Sequence, residues 1–163
     1  MQAKSHSRVP VMLLAAAMLL VAMFGLTGCW SDVDITIGTE SDDSVEMIFY
    51  NSTGKDIVEV SVSAAGDDAT EPESLVFDDD AWEYGMKSRI YCGPSDISDS
   101  GCDIELVYDD GETGTLHGVM FDESDTVVVS IDDDSGVTYL SYNDENDETI
   151  YTLDAEKELD AAQ

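Results

Sequence analysis

The residues equipped for covalent or acid–base chemistry are few in this chain of 163 residues. Three cysteines stand at positions 29, 92 and 102 and two histidines at 6 and 117, against 37 aspartates and glutamates. Cys92 and Cys102 bracket a Gly/Pro/Ser/Asp-rich segment, YCGPSDISDSGCD. In an oxidising compartment such a pair reads most simply as a disulfide. Closing so short a loop would contribute about 3 kcal/mol by restricting the unfolded chain. Two free thiols are the alternative. A metal or redox site is a weaker one, because the spacing is not Cys-x-x-Cys and the nearest histidine is distant in sequence.

The acidic runs raise the question of a hard cation. FDDDAWEYG brings Asp78, Asp79 and Asp80 together, IDDDSG brings Asp132, Asp133 and Asp134, and NDENDE spans 143–148. Carboxylates converging from loops are the usual ligands of Ca²⁺. The EF-hand spacing is not met: Asp132, Asp134 and Gly136 miss it by one residue, and NDENDE has no glycine at its sixth place. Solvated loop tips are the plainer reading. A weak attraction for Ca²⁺ follows from the charge in either case.

Acid–base catalysis finds little support. His117, the sole histidine beyond residue 6, alternates away from the apolar face of TLHGVM and reads as a surface residue. Gly-x-Ser-x-Gly, His-Glu-x-x-His and phosphate-loop motifs are absent from the sequence. With 37 carboxylates a glycosidase-like pair is always available, and none is singled out. Trp82 and Tyr84, beside Asp78 to Asp80, read either as a stacking platform or as core rings. The sequence therefore predicts no catalytic residue and no cofactor.

The elements that must position these groups follow a period of two. VEMIFY sends Val45, Met47 and Phe49 to one face, IVEVSVS sends Val58, Val60 and Val62, DIELVY sends Ile104, Leu106 and Tyr108, and TVVVSI sends Val127, Val129 and Ile131. Further strands are expected at 33–37, 86–91, 115–120, 137–142 and 149–153. About nine short strands separated by Gly, Asn, Asp and Ser predict an all-β fold, a small antiparallel β-sandwich or else a small barrel. Asp110-Gly111 marks a hairpin. A three-residue loop, Asp109 to Gly111, aligns Leu116 and Met120 with Ile104, Leu106 and Tyr108, whereas a two-residue loop would turn Leu116 away. A second hairpin joins 137–142 to 149–153. Only the tail from Ala155 looks helical. Asn51-Ser52-Thr53 matches a glycosylation sequon at a turn.

Charge excludes some partners. Asp and Glu outnumber Lys and Arg by 37 to six, for a formal charge of −31. Phosphate neutralisation needs cations that this chain lacks, which argues against nucleic acid as a partner. Adsorption to an anionic bilayer through a basic patch fails for the same reason.

The N-terminus is the most specific part of the sequence. A short basic lead carrying Lys4 and Arg8 precedes Val11 to Leu26, sixteen apolar residues without a charge, and Thr27-Gly28-Cys29 closes the run. This is the pattern of an export signal. Leu26-Thr27-Gly28-Cys29 resembles the lipobox of bacterial lipoproteins. That resemblance implies cleavage before Cys29, a thioether-linked diacylglyceryl group on its sulfur, and residence at the cell membrane on the extracytoplasmic face. Gly28 leaves the scissile bond unobstructed, and a thiol is the nucleophile the modification needs. Two acyl chains, at about 0.8 kcal/mol per buried CH₂, give a stable anchor where one is marginal. An uncleaved membrane helix needs roughly 20 apolar residues and would have to recruit Val9 to Trp30; an ordinary secretory signal is the other alternative.

These readings divide the chain into a signal peptide (1–28), a lipidated cysteine with a tether or first strand (29–44), an acidic β domain (45–153) and a tail (154–163). The turns at Asn51 to Gly54 and Asp109 to Glu112 are similar to those of small extracytoplasmic all-β domains of unknown role, a likeness that brings no activity with it. The function expected is non-catalytic binding or structure, toward an unknown protein or cell-wall partner. A Ca²⁺-dependent binding module is the alternative, and a carboxylate-type cell-wall hydrolase comes third.

Overall fold

In the computed structural model the described residues are 33–66, 71–120, 126–144 and 146–161. Leu26, Thr27, Gly28 and Cys29 lie outside them. Ten strands follow one another: β1 (Ile35–Ile37), β2 (Val45–Asn51), β3 (Ile57–Ala64), β4 (Glu73–Ser74), β5 (Lys87–Cys92), β6 (Cys102–Tyr108), β7 (Thr113–Val119), β8 (Val127–Ile131), β9 (Thr138–Asn143) and β10 (Thr149–Tyr151). A helix, α1 (Leu153–Asp160), ends the fold. The strands form a six-stranded sheet in the order β1-β5-β2-β8-β9-β10 and a four-stranded sheet in the order β4-β3-β6-β7. Neither closes into a barrel, so the architecture is an all-β sandwich.

The alternation seen in the sequence is what the core uses. Met47, Phe49, Val60, Val62, Ile104, Leu106, Val127 and Val129 are all buried between the sheets. The Asp110-Gly111 hairpin closes with a three-residue loop: Tyr108 N–H donates to Glu112 O at 2.9 Å, Gly111 adopts φ +83°, and Ile104 faces Leu116. Gly111 takes the left-handed position that such a loop needs.

Two bulges change which side chains reach the core. A register shift between Ile57 and Glu59 buries Ile57 completely and leaves Val58 exposed. A second, between Cys102 and Ile104 on β6, lies opposite Gly118 (φ +59°), so Val119 rather than Met120 turns inward, and Met120 is 60% exposed. A bulge adds one residue to one strand and so reverses the alternation beyond it.

The compact unit runs from Val33 to Gln163. Residues 35–37 are thus the first strand, parallel to β5, with Ile35 and Ile37 buried. β2 and β8 also pair in parallel, making the larger sheet mixed where a purely antiparallel one was expected. α1 is tied to β9 at its start: Thr152 N–H donates to Leu140 O, and Leu140 N–H donates to Thr152 Oγ1, both at 2.9 Å.

One buried hydrogen bond ties the sheets together. Tyr108 of β6 and Thr138 of β9 join hydroxyls at 2.7 Å. Gly114 permits this, because a Cβ there would stand 2.1 Å from Thr138 Oγ1 and 2.6 Å from the Tyr108 hydroxyl. Tyr108→Phe is expected to lower unfolding free energy by about 1–2 kcal/mol in urea titration, because the Thr138 hydroxyl loses its partner. The double variant Tyr108→Phe/Thr138→Val is expected to lose less than the sum of the two single changes. Additive losses would show that the pair is not coupled.

Candidate functional site

The acidic runs separate in space. Phe77, ahead of Asp78, bridges Ile37 on β1, one edge of the six-stranded sheet, and Asp78 Oδ1 accepts from Thr36 N–H at 2.9 Å. Asp132 follows β8, three strands further across that sheet. Its Oδ2 accepts from the Ser135 hydroxyl and pairs with Lys157 of α1 at 2.9 Å. Ser135 first, then Lys157, hold the Asp132 carboxyl below the ordinary aspartate range. Asp79 Oδ1 caps the Asp80 amide. In 143–148, Asp144 accepts from the amide of Glu148 and then from the side chain and amide of Asn146, which keep its carboxyl low. Each run thus caps an amide of its own, while Asp78 and Asp132 also bond outside their runs, and among the described residues no group of three or more His, Cys, Asp or Glu could hold a metal ion.

His117 is not the surface residue its alternation suggested. The bulge and α1 enclose it, leaving its side chain 15% exposed. Its Nδ1 lies 2.7 Å from Glu156 Oε2, and its backbone N–H donates to Glu156 Oε1 at 3.2 Å. Glu156, 3% exposed, is the buried residue of α1. The neighbouring amide of the bulge, Gly118 N–H, donates to Asp103 Oδ1 at 2.9 Å. Two carboxylates thus satisfy amides on the edge strand β7. Sequence reasoning missed Glu156, because α1 carries no continuous apolar stripe to show that it docks.

Lys55 clips two turns together. Its Nζ contacts Asp110 at 2.7 Å, pairs with Glu112, and lies 5.2 Å from the Tyr108 ring centre. The bonds to Asp110 and Glu112 raise its pKa, and Lys55 in turn lowers that of Asp110. The Asp110 part of this stability is complete above the ordinary aspartate range and disappears as pH falls through the lowered value. The Lys55 part is complete below the ordinary lysine range and disappears as pH rises through the raised value.

Asn51, the sequon asparagine, is fully buried. Its Nδ2 donates to Lys55 O and Trp82 O, and its Oδ1 accepts from Thr53 N–H and Oγ1. With every amide position engaged it is unavailable for glycosylation in the folded chain. Trp82 is a core ring, edge-on to Phe49 with centroids 6.4 Å apart and its Nε1–H donating to Met86 O. Tyr84 points outward, 59% exposed. The two rings therefore form no common platform.

Cys92 and Cys102 are both completely buried, and both are free thiols. The bridge expected from their spacing is not formed. Cys102 Sγ lies 3.5 Å from Val119 O. Burial pushes the Cys102 thiol up to about 12 and raises Cys92 further, so neither supplies a thiolate near neutrality. The loop between them is held instead by its own hydrogen bonds, with Ser98 and Gly101 exchanging backbone bonds at 3.0 Å and Asp96 accepting from Gly93 N–H.

No family model matches this chain, and no curated protein matches it. Among solved structures, one described as the NMR structure of a protein from Eubacterium rectale aligns with a TM-score of 0.39 and 12% identity, over 63% of this chain and 91% of that one. So distant a likeness carries no functional argument.

Two outcomes check this description. At fixed ionic strength the melting temperature is expected to stay flat from micromolar to millimolar Ca²⁺, whereas a saturable rise would reveal a specific site. Glu156→Ala is expected to cost about 1–3 kcal/mol and to abolish hydrogen-exchange protection in α1, because it strands the His117 amide; Glu156→Gln is expected to cost less. Unchanged protection in the alanine variant would rule out the latch.

Proposed function

We propose that this chain is a lipid-anchored extracytoplasmic lipoprotein whose β-sandwich has a binding or structural role and no catalytic one. Leu26-Thr27-Gly28-Cys29, at the end of a sixteen-residue apolar run, is the observation that carries the reading. The disposition of the chemical groups supports the non-catalytic part. The His117 ring engages a buried carboxylate, the thiols at 92 and 102 are sealed in the core, and the acidic loops cap their own amides. The charge of −31 suits a solvated display domain that stays apart from anionic surfaces.

Cys29 carries the anchor in this reading, because only its sulfur can form the thioether. Cys29→Ala is therefore expected to leave an unprocessed precursor still bearing residues 1–28, while the wild type is cleaved and partitions with membranes through its acyl chains. Fractionation followed by N-terminal sequencing of both forms checks this. Identical processing and partition of the two would refute it.

A further inference from the structure

The two outer faces of the sandwich differ sharply in charge. On the four-stranded sheet the outward positions include Glu59, Asp103 and Glu105, and no Lys or Arg occupies its described strands. On the six-stranded sheet Glu46 is the one carboxylate among the described strand residues, and it pairs with Arg89 at 3.5 Å. Lys87 is also on that sheet. In a chain of net charge −31, this face is close to neutral.

Its outward side chains include hydroxyl-bearing rings and short alcohols set in rows with Val128 and Ile48. Tyr50 lies opposite Val128, Val128 opposite Ser141, and Ser141 opposite Tyr151, so one row crosses β2, β8, β9 and β10. That row spans three strand spacings, about 14 Å. Ser130 and Tyr139 are paired in the next row, and Ile48 is paired with Arg89 on the other side. Tyr151 is 64% exposed, while Tyr50, Val128 and Tyr139 are half-buried side by side on the sheet surface. Tyrosine combines an apolar ring with a polar tip, which makes it effective where a partner is apolar on its faces and hydroxylated at its rim.

We infer that the outer face of the six-stranded sheet, centred on Tyr50, Val128, Tyr139 and Tyr151, binds an uncharged polysaccharide. Sugar rings present C–H faces to the tyrosine rings and hydroxyls to Ser130, Ser141 and the tyrosine hydroxyls. The charge pattern favours this occupant. A polyanion is repelled by the acidic remainder of the molecule, and a polycation finds far better partners on the four-stranded sheet and the loops. A neutral chain meets neither obstacle on the face whose described strands carry a single carboxylate, Glu46. A protein partner is less well matched, because the face has alternating hydroxyls in place of a continuous apolar centre. This inference names the ligand class for the binding role proposed above and relies on that reading only for where the ligand is met.

The test is affinity electrophoresis of the full chain in non-ionic detergent, in native gels containing a neutral α-glucan, β-glucan, mannan or xylan, with polygalacturonate as the anionic comparator. At least one neutral polysaccharide is expected to retard the wild type, with little dependence on salt. Tyr50→Ala and Tyr151→Ala are each expected to weaken that retardation about tenfold, while Glu105→Ala on the opposite sheet leaves it unchanged. Tyr151 is exposed, so its variant separates loss of binding from loss of fold, and circular dichroism confirms the fold of each. Retardation by none of the neutral polysaccharides, by the anionic one alone, or undiminished in both tyrosine variants would overturn the inference. Because binding is read in detergent, failure here leaves the anchoring result at Cys29 standing, and the converse holds as well.

Discussion

Every carboxylate in this protein has to be kept in water or given a partner, and that constraint shapes the rest of the structure. A chain with 37 acidic and six basic residues cannot neutralise itself by pairing. Charge left uncompensated in a core is prohibitively costly. Alternation in strands meets the requirement, because it sends one side chain inward and the next into solvent. The buried set of β2, β3, β6 and β8 is accordingly apolar apart from Asn51, and the two buried carboxylates among the described residues lie outside those strands, Glu156 bonded to His117 and Asp96 accepting from Gly93 N–H. Two of the scarce cations are placed against acidic turns. Lys55 lies between Asp110 and Glu112, and Lys157 lies against Asp132.

Polar groups inside the sandwich obey the same accounting. Asn51 satisfies both its amide hydrogens and its oxygen, fixing the β2–β3 turn against the Trp82 segment. Tyr108 and Thr138 satisfy each other across the sheets, in space left by Gly114. Ser88 departs from the pattern: its hydroxyl is buried on the core face of β5 without a hydrogen-bond partner among the described residues. The neighbours of its backbone in the sheet are Ile35 and Phe49, which offer that hydroxyl no side-chain acceptor.

Much of the fold could be read from local pattern, and the parts that could not have specific causes. Ile104, Leu106 and Tyr108 alternate cleanly, and the Asp110-Gly111 turn fixes how β7 returns beside them, so both face and register were accessible. Ile57 and Val119 were not assigned to the core, because each enters it through a bulge, and a bulge depends on the partner strand. The glycine in TLHGVM was the one local hint of the second. Parallel pairing of β1 with β5 and of β2 with β8 depends on residues far apart in sequence and leaves no local trace. The same is true of the contact between His117 and Glu156, 39 residues apart. The cysteine spacing suggested a bridge for a related reason: it says how short the intervening loop is and nothing about the strands β5 and β6, in different sheets, that carry the two thiols.

The proposed anchor at Cys29 and the free thiols of the domain both bear on the covalent state of the chain. Intact-mass spectrometry of the protein extracted from membranes measures that state directly. The mass predicted is that of a polypeptide beginning at Cys29, carrying a thioether-linked diacylglyceryl group, with Cys92 and Cys102 as unbridged thiols. A polypeptide that retains Met1, or one that begins at Cys29 without added lipid, would contradict it.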